Sequence, residues 1–291
     1  MRENMITNSR KEGSLTKADS AMTMYGPWND VSILHNQAKI SVGRAANPPF
    51  IHPFFKTESC SSTMDLAWIL HDHGVFSEWS SVLAERQHSG RGQFGRTWVS
   101  EPGNLCASLR LPREPLAAIS LTPLVLAQAI QNVLRDAGLA SQFKWPNDIL
   151  VSRKKVGGIL VEEREGVLIA GIGLNVCAAP ATQMLRDPRA LPAAHLNAFG
   201  FNPKLLELWT AIIQAVMDSY RSFLQDRGSG KFMNDLENSL ACLGERVVFK
   251  PHGSEEFAAS IAGLTETGGL RLITADGEKT FHSGGFFPVV Y

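Results

Sequence analysis

The pattern of apolar and polar positions along the chain changes at about residue 240. Before this point, segments with helical periodicity alternate with short apolar runs, and after it short strands follow one another with glycines between them. The clearest predicted helix begins at Asn202-Pro203, where an N-cap residue precedes a proline, and ends at Gly228. Its apolar stripe has a period near 3.6 residues and consists of Leu205, Leu208, Trp209, Ile212, Ile213, Val216, Tyr220, Phe223 and Leu224.

Two further helices are predicted from their boundary residues. Hydroxyl groups at residues 61–63 can cap a helix that runs to about His73 and ends at Gly74. Ser120 can cap the other, with Pro123 in its first turn and Gly138 at its end. A short helix is expected near residues 231–241, and strands are expected over residues 50–56, 80–85, 104–111, 149–152, 157–163 and 167–176, and in a small C-terminal β-unit over 246–250, 257–264, 270–274 and 279–282.

Composition and charge argue against several classes of protein. The 291 residues carry 28 Lys and Arg against 28 Asp and Glu, and 44% of them are hydrophobic. Disordered chains are less hydrophobic and more highly charged. Zero net charge argues against a general nucleic-acid or membrane-surface binder but allows a local basic site. We therefore expect neither DNA nor a membrane as a partner.

Cysteine spacing and the N-terminal sequence indicate the compartment. Cys60, Cys106, Cys177 and Cys242 lie far apart and form no CxxC pair, so we interpret them as reduced thiols. The first 17 residues lack the apolar core of a secretory signal, and no stretch reaches the roughly 18 apolar residues of a membrane-spanning helix. The expected location is cytoplasmic.

A glycine-rich loop, residues 90–98, combines three glycines with two arginines. Its GRGQFG segment does not run into a helix, so a dinucleotide site is not expected, and the lysine and catalytic-loop motifs of protein kinases are absent. Arg91 and Arg96 lie among backbone N–H groups that glycine leaves open to phosphate or carboxylate. Trp98 could stack on a base. The alternative is a solvated turn followed by a core tryptophan.

Three later segments also carry candidate chemistry. A KWPND segment ends in Asp148, which could bind magnesium, fix the lysine four residues before it, or simply form a turn. A KKVGGIL segment places Lys155 beside glycines that let a ligand approach, although a hairpin with solvated lysines has the same pattern. A GIGLN segment ends in Asn175, and its small residues also suit tight strand packing.

The order and spacing of these segments resemble the biotin protein ligase family over about residues 50–291. The resemblance rests on Ser62-Thr63, Gln87, the GRGxxGRxW loop, KWPND, Lys155 with Gly158, and GxGxN. It implies an α+β fold, with a mixed β-sheet flanked by helices as in class II aminoacyl-tRNA synthetases and biotin/lipoate ligases, and a small C-terminal SH3-like β-barrel. The expected domains are an N-terminal extension over 1–48, a catalytic domain over 49–238 and the barrel over 239–291.

The activity implied by this resemblance is that of an ATP-dependent biotin--[biotin carboxyl-carrier protein] ligase. Such an enzyme forms biotinyl-5′-AMP and pyrophosphate, and then transfers biotin to one lysine of a biotin carboxyl carrier protein, for example that of acetyl-CoA carboxylase. The implied small molecules are ATP, Mg²⁺ and biotin, and the resemblance allows a homodimer. The first step brings two anions together, so it needs cations and positioning more than a nucleophilic side chain.

The resemblance also implies residue roles. Lys155 and Arg91 are the implied catalytic pair, and Asp148 is the implied magnesium ligand. The implied biotin-binding residues are Ser62, Thr63, Met64, Gln87, Arg91, Gly92, Gln93, Lys155, Gly158 and Gly171. The implied ATP- or adenylate-binding residues are Gly90, Gly95, Arg96, Trp98, Asn147 and Asn175.

Two departures from the family pattern leave alternatives open. Gln93 stands where the family most often has an arginine that helps to retain the adenylate, and Met64-Asp65 follow the Ser-Thr pair where asparagine is common. The alternatives are a lipoate or octanoate ligase, a biotin-binding protein that no longer ligates, and a biotin-sensing repressor. A repressor needs a winged helix-turn-helix of roughly 60 residues, and residues 1–48 are too short for it.

Overall fold

The structure is a computed structural model. It describes residues 52–112, 119–181, 189–225 and 230–289, together with the backbone of residues 22–25 and 40–42. Most of the predicted extension, residues 1–48, therefore lies outside the described residues, and its boundary stays a prediction. Two short strands inside it, which the sequence did not predict, pair at one edge of the main sheet.

The main sheet is mixed and has nine described strands in the order β2-β1-β3-β4-β5-β9-β8-β7-β6. Pairing is parallel between β1 and β2 and between β3 and β4, and antiparallel elsewhere. The strands are β1 Met22–Tyr25, β2 Ile40–Val42, β3 Phe54–Cys60, β4 Ser81–Gln87, β5 Leu105–Leu111, β6 Ser141–Lys144, β7 Asp148–Val151, β8 Lys154–Arg164 and β9 Val167–Leu174.

Helices cover both faces of this sheet. They are α1 Thr63–Asp72, α2 Thr122–Asp136, α3 Leu205–Gln225 and α4 Lys231–Asn238. Side chains alternate across a strand. Phe54 accordingly packs in the core that includes α2 and α3, whereas Phe55 packs with α1 on the opposite face. This helix–sheet–helix arrangement confirms the predicted α+β class.

Several helix boundaries differ from the predicted ones: α3 begins at Leu205 and not at Asn202-Pro203, and α4 ends at Asn238 and not near residue 241. Ser62 caps α1, since its Oγ accepts a hydrogen bond from the Met64 amide at 3.3 Å. Ser120 does not cap α2. A short 3₁₀ turn over Ile119–Leu121 precedes that helix, and the Ser120 hydroxyl donates instead to the Thr267 carbonyl at 2.7 Å.

The C-terminal β-unit is an antiparallel sheet with strand order β13-β12-β11-β10-β14. Its strands are β10 Arg246–Lys250, β11 Phe257–Leu264, β12 Leu270–Thr274, β13 Gly277–Phe281 and β14 Gly285–Pro288. Five strands around a core that includes Phe249, Ile261 and Phe286 are consistent with the predicted SH3-like barrel. The Trp145 indole donates to the Gly268 carbonyl at 3.0 Å and ties the unit to the main sheet.

Several strand limits differ from the predicted ones. The strand expected at residue 50 begins at Phe54, directly after Pro53, and the one expected at Gly157 begins at Lys154. β6 and β14 were missed because both are short and lie beside proline or glycine, which weaken the strand signal. Among the described helices, none is long and apolar enough to cross a membrane.

Candidate active site

A partly open cavity of about 50 Å³ lies over β5, β8 and β9, beneath the glycine-rich loop. We refer to it as the site cavity. Eleven of the residues to which the sequence assigned a role line it, namely Ser62, Thr63, Met64, Gln87, Arg91, Gly92, Trp98, Asn147, Lys155, Gly158 and Gly171. The other lining residues include Cys106 and Ile159, for which the sequence predicted no role. The remaining predicted residues, Gly90, Gln93, Gly95, Arg96, Asp148 and Asn175, do not line this cavity.

One end of the site cavity is a buried cluster of hydroxyl and amide groups. β3 and β4 are parallel, so the residues after β3 meet the end of β4. The Gln87 side-chain oxygen accepts from the Thr63 amide at 2.7 Å and from the Thr63 hydroxyl at 3.1 Å, and Ser108 donates to that hydroxyl at 2.9 Å. Because its oxygen is occupied, Gln87 presents its NH₂ group as a donor.

The floor of the cavity depends on glycine. An added Cβ at Gly171 would lie 3.0 Å from the Met64 sulfur, and one at Gly173 would lie 2.5 Å from Cε2 of Trp98. A Cβ at Gly158 would lie 3.3 Å from Cζ3 of Trp98. The tight-packing interpretation of the GIGLN segment is therefore correct, and what packs on the strand is the tryptophan of the glycine-rich loop.

At the other end, Lys155 faces Asp148. The ammonium nitrogen of Lys155 lies 2.5 Å from Oδ1 of Asp148, and that of Lys144 lies 3.9 Å from Oδ2. The register of β7 and β8 shifts between Ile149 and Leu150. Such a bulge re-aims side chains, which lets Lys155 and Gly158, three residues apart, both line the site cavity.

Burial and charge set the protonation of this cluster. Burial disfavours the charged form of Asp148, but Lys155 and Lys144 outweigh it and hold the pKa of the carboxyl below its usual value. Burial lowers the pKa of Lys144, and Asp148 opposes part of that shift. Asp148 is thus an anion that orients two lysines.

The magnesium role predicted for Asp148 is not supported by its surroundings. Among the described residues, no group of three or more His, Cys, Asp and Glu side chains could hold a metal ion. The one carboxylate at this place already faces two ammonium groups. These residues do not suit a resident Mg²⁺ ion, so we derive no step through one, and magnesium stays a prediction as a companion of ATP.

Arg91 anchors the base of the glycine-rich loop. Its guanidinium forms an ion pair with Asp65 of α1 and another with Glu162 of β8, the second at 3.0 Å. The Trp68 indole donates to the other Glu162 oxygen at 2.8 Å. Partial burial opposes the charged form of Arg91, but its two carboxylate partners outweigh that effect and raise its pKa. The sequence predicted neither Glu162 nor Asp65 as a partner of Arg91.

Backbone bonds close the glycine-rich loop on itself. The Gly92 amide donates to the Arg96 carbonyl at 2.7 Å, and the Trp98 amide donates to the Gly90 carbonyl at 2.8 Å. Gly95 has a φ of 67°, which glycine adopts without strain. Arg96, the next residue, is exposed and does not line the site cavity.

Two asparagines of the predicted adenylate site have mainly structural contacts. The side-chain NH₂ group of Asn147 donates to the Ile159 carbonyl at 2.8 Å, and that of Asn175 donates to the Ala194 carbonyl at 3.1 Å. However, Oδ1 of Asn175 and Nε1 of Trp98 are buried and have no hydrogen-bond partner among the described residues. Trp98 lies on Gly173 near the end of β9, and Asn175 follows two residues later, directly after that strand.

Comparison with known proteins gives consistent matches. The profile of the Biotin/lipoate A/B protein ligase family matches residues 57–177. A biotin--[acetyl-CoA-carboxylase] ligase of Paracoccus denitrificans is 30% identical over 215 residues, which are 71% of this chain and 89% of that relative. The bifunctional ligase/repressor BirA of Bacillus subtilis is 39% identical over 128 residues, 41% of this chain, and the chain spans only 39% of that relative's length.

A solved structure also matches most of the chain. The biotin protein ligase from Aquifex aeolicus in complex with biotin and ATP superimposes with a TM-score of 0.70 at 28% identity, over 81% of this chain and 98% of that one. The match confirms the predicted ligase-like fold of the mixed sheet with its flanking helices.

Proposed function

This chain belongs to the biotin/lipoate A/B protein ligase family, and from that premise we propose that it is an ATP-dependent biotin protein ligase. The names of the Paracoccus relative and of the Aquifex structure support this activity. The proposed product is a carrier protein with biotin on one lysine.

The polar end of the site cavity supports biotin over lipoate or octanoate as the acid. Biotin has an apolar fused ring with a ureido edge that both donates and accepts hydrogen bonds, whereas the ring of lipoate and the tail of octanoate offer no such partner. Ser62 and Thr63 are almost fully buried, and Gln87, whose side-chain oxygen is held by Thr63, lines the cavity beside them. A ligand that left such groups unpaired would bind poorly, because a buried polar group without a partner costs free energy. This cluster is the observation that carries the choice of substrate.

We propose that Lys155 and Arg91 neutralise charge in the first step. A carboxylate oxygen of biotin attacks the α-phosphorus of ATP, the bond from that phosphorus to the bridging oxygen breaks, and pyrophosphate leaves with the electron pair. Lys155 reaches the cavity from β8, and Asp148 keeps its ammonium group aimed. Arg91 lines the same cavity from the glycine-rich loop. Cations fixed in advance at a site of growing negative charge are a large contribution to catalysis.

Adenine is proposed to bind beside Trp98 and Asn175. The indole N–H is a donor and the Asn175 oxygen an acceptor, and both are buried without a partner among the described residues. Adenine carries ring nitrogens that accept and an amino group that donates, so it can satisfy both. The loop would then lie near the phosphates of ATP with its residues Gly90, Gly95 and Arg96. Their role in binding ATP remains a prediction.

In the second step the amine of a carrier lysine attacks the acyl carbon of biotinyl-5′-AMP. An amide bond forms, the bond from the acyl carbon to the phosphate oxygen breaks, AMP leaves, and the amine loses a proton to solvent. A biotin carboxyl carrier protein is the proposed partner, as the name of the Paracoccus relative suggests. Homodimer formation, absence of DNA binding and a cytoplasmic location stay predictions.

Release of pyrophosphate with each acid tests the proposed substrate. The wild-type protein is incubated with ATP and Mg²⁺ and with biotin, lipoate or octanoate in parallel. We expect pyrophosphate release with biotin at a rate at least about a hundredfold above that with the other acids. A site that hydrogen-bonds its substrate discriminates strongly against analogues that leave its polar groups unpaired. Release with lipoate or octanoate but not biotin would assign the other branch of the family.

A further inference from the structure

Phe94 forms the tip of the glycine-rich loop in an unusual conformation. It lies in the 3₁₀ turn Gln93–Gly95 with a φ of 56°, in the left-handed region that bulky residues rarely adopt. Its side chain is 52% exposed. Since this backbone conformation is strained for a bulky residue, a contact of the Phe94 side chain is needed to offset its cost.

That contact is made by the C-terminal β-unit. The Phe94 ring is stacked on the His252 imidazole, with ring centroids 4.9 Å apart and an interplanar angle of 17°. His252 lies in the turn between β10 and β11. The loop of the larger unit is thus joined to the smaller unit at its tip, whereas Arg91 joins it to the main sheet at its base.

Ion pairs hold one end of the turn that carries His252. Glu256, at the end of the turn, accepts hydrogen bonds from Arg189 at 2.7 and 3.1 Å and pairs with Lys250 at 3.3 Å. The C-terminal β-unit is fixed to the main sheet by the Trp145 bond to Gly268 and by the Lys144 ammonium, which lies 4.6 Å from the centre of the Phe286 ring. The β-unit that carries His252 is therefore tied to the main sheet, and the loop tip can close against it.

We propose that the C-terminal β-unit closes the glycine-rich loop over the bound adenylate through the stack of Phe94 on His252. The inference rests on the proposed function. Gln93 carries no charge and cannot form an ion pair with a phosphate, so the tip of the loop lacks an electrostatic hold on the intermediate at that position. The aromatic contact supplies closure instead. Phe94 and His252 are positioning residues that act through the loop.

Release of preformed biotinyl-5′-AMP tests the proposal in the full chain. The variants are Phe94→Ala, His252→Ala, the double variant, and His252→Phe, which keeps a ring for the stack. Since an aromatic pair contributes modestly, we expect each alanine variant to release adenylate about threefold to tenfold faster, the double variant to be no faster than the singles, and His252→Phe to restore slow release. His282→Ala, an exposed histidine of the same β-unit, is the matched control and should leave release unchanged.

Unchanged release in both single variants, or effects that multiply in the double variant, would overturn the proposal. Unfolding midpoints of all variants identify any change that comes from misfolding. If a variant is destabilised, the release rates of His252→Phe and Phe94→Ala are compared, since only His252→Phe keeps a ring at both positions. Slow release from His252→Phe and fast release from Phe94→Ala would support the stack.

A second measurement separates this proposal from the proposed function. In the ligand-free protein, the stack should shift the His252 imidazole proton signals through the Phe94 ring current, and trypsin should cleave after Arg91 or Arg96 faster in Phe94→Ala than in wild type. If wild type makes no adenylate but shows both effects, the ligase assignment fails and the loop contact stands. Equal cleavage rates and no dependence of the His252 signals on Phe94 would contradict the contact itself.

Discussion

The two sides of the site cavity are held in different ways. On the sheet side, Lys155 and Asp148 lie on neighbouring strands and face each other across a bulge in the backbone ladder. On the loop side, residues 90–98 bond mainly to one another, and their links to the rest of the molecule are side-chain contacts of Arg91, Phe94 and Trp98. The comparison indicates that one proposed catalytic charge, Lys155, is fixed in the sheet, whereas the other, Arg91, lies on the loop that closes the cavity and that side-chain contacts hold in place.

Removal of Lys155 should break the sheet side most severely. Lys155→Ala deletes the cation that neutralises the attacking carboxylate and the α-phosphate, so biotin-dependent pyrophosphate release should fall on the order of 10²- to 10³-fold. Lys154→Ala removes an exposed lysine one residue away and serves as the matched control. Near-normal pyrophosphate release from Lys155→Ala would show that another group neutralises the carboxylate and the α-phosphate.

The contact between the loop side and the sheet side, where Trp98 packs on Gly173, should be disrupted by a side chain at position 173. In Gly173→Ala the new methyl group would lie 2.5 Å from Cε2 of Trp98, so the loop would have to lift from the sheet. We expect a loss of roughly 1–3 kcal/mol in the free energy of unfolding and a raised KM for ATP. Gly285→Ala meets no atom within 4 Å and is the control. Unchanged stability and KM in Gly173→Ala would mean that Trp98 does not pack there.

How far the sequence predicted this site depended on distance along the chain. The spacing of local segments was sufficient for Lys155, Gly158 and the glycine-rich loop. It was not sufficient for Glu162, which pairs with Arg91 across 71 positions, because no local pattern encodes such a contact. The stack of Phe94 on His252 was missed for the same reason.

The errors in the fold have local physical causes. Ser120 has the chemistry of a cap, but an extra 3₁₀ turn moves the start of α2 past it. The short strand β6 lies beside Pro146 and pairs along only four residues, too few for a clear alternation. The body of the long amphipathic helix was predicted because its apolar stripe repeats along 21 residues, but its start was placed about three residues too early and Leu224 of the stripe is exposed.

Asp148→Asn should weaken the sheet side in a manner that depends on pH. The folded protein holds the pKa of Asp148 below its usual value, so this carboxylate contributes stability above the usual value of about 3.9, and the contribution is lost as the pH falls through the lowered pKa. At pH 7 the free energy of unfolding of the variant should be lower by roughly 1–2 kcal/mol. This is less than for a fully buried ion pair, since the Lys155 side chain is 32% exposed. Urea unfolding at pH 7 and pH 3 should show the difference shrinking in acid. A constant difference would contradict the ion pair.

A smaller effect is expected on the loop side from Asp65→Asn. Arg91 would lose one of its two carboxylate partners and keep Glu162, so the loop base should loosen only partly. The KM for biotin should rise about twofold to fivefold, in line with a partly exposed ion pair. Asp72→Asn, at the exposed end of the same helix, is the control. A loss as large as that of Lys155→Ala would show that the position of Arg91 depends on Asp65 alone and that Glu162 does not hold it.

Transfer of biotin to a carrier protein is the most direct test of the proposed activity. The wild-type chain is incubated with ATP, Mg²⁺, biotin and an apo biotin carboxyl carrier domain, and the carrier is analysed by intact mass and by avidin blot. We expect a single biotinyl addition on one carrier lysine, dependent on ATP and absent with Lys155→Ala. A carrier that remains unmodified by the folded wild-type protein, or that is modified equally by Lys155→Ala, would contradict the assignment.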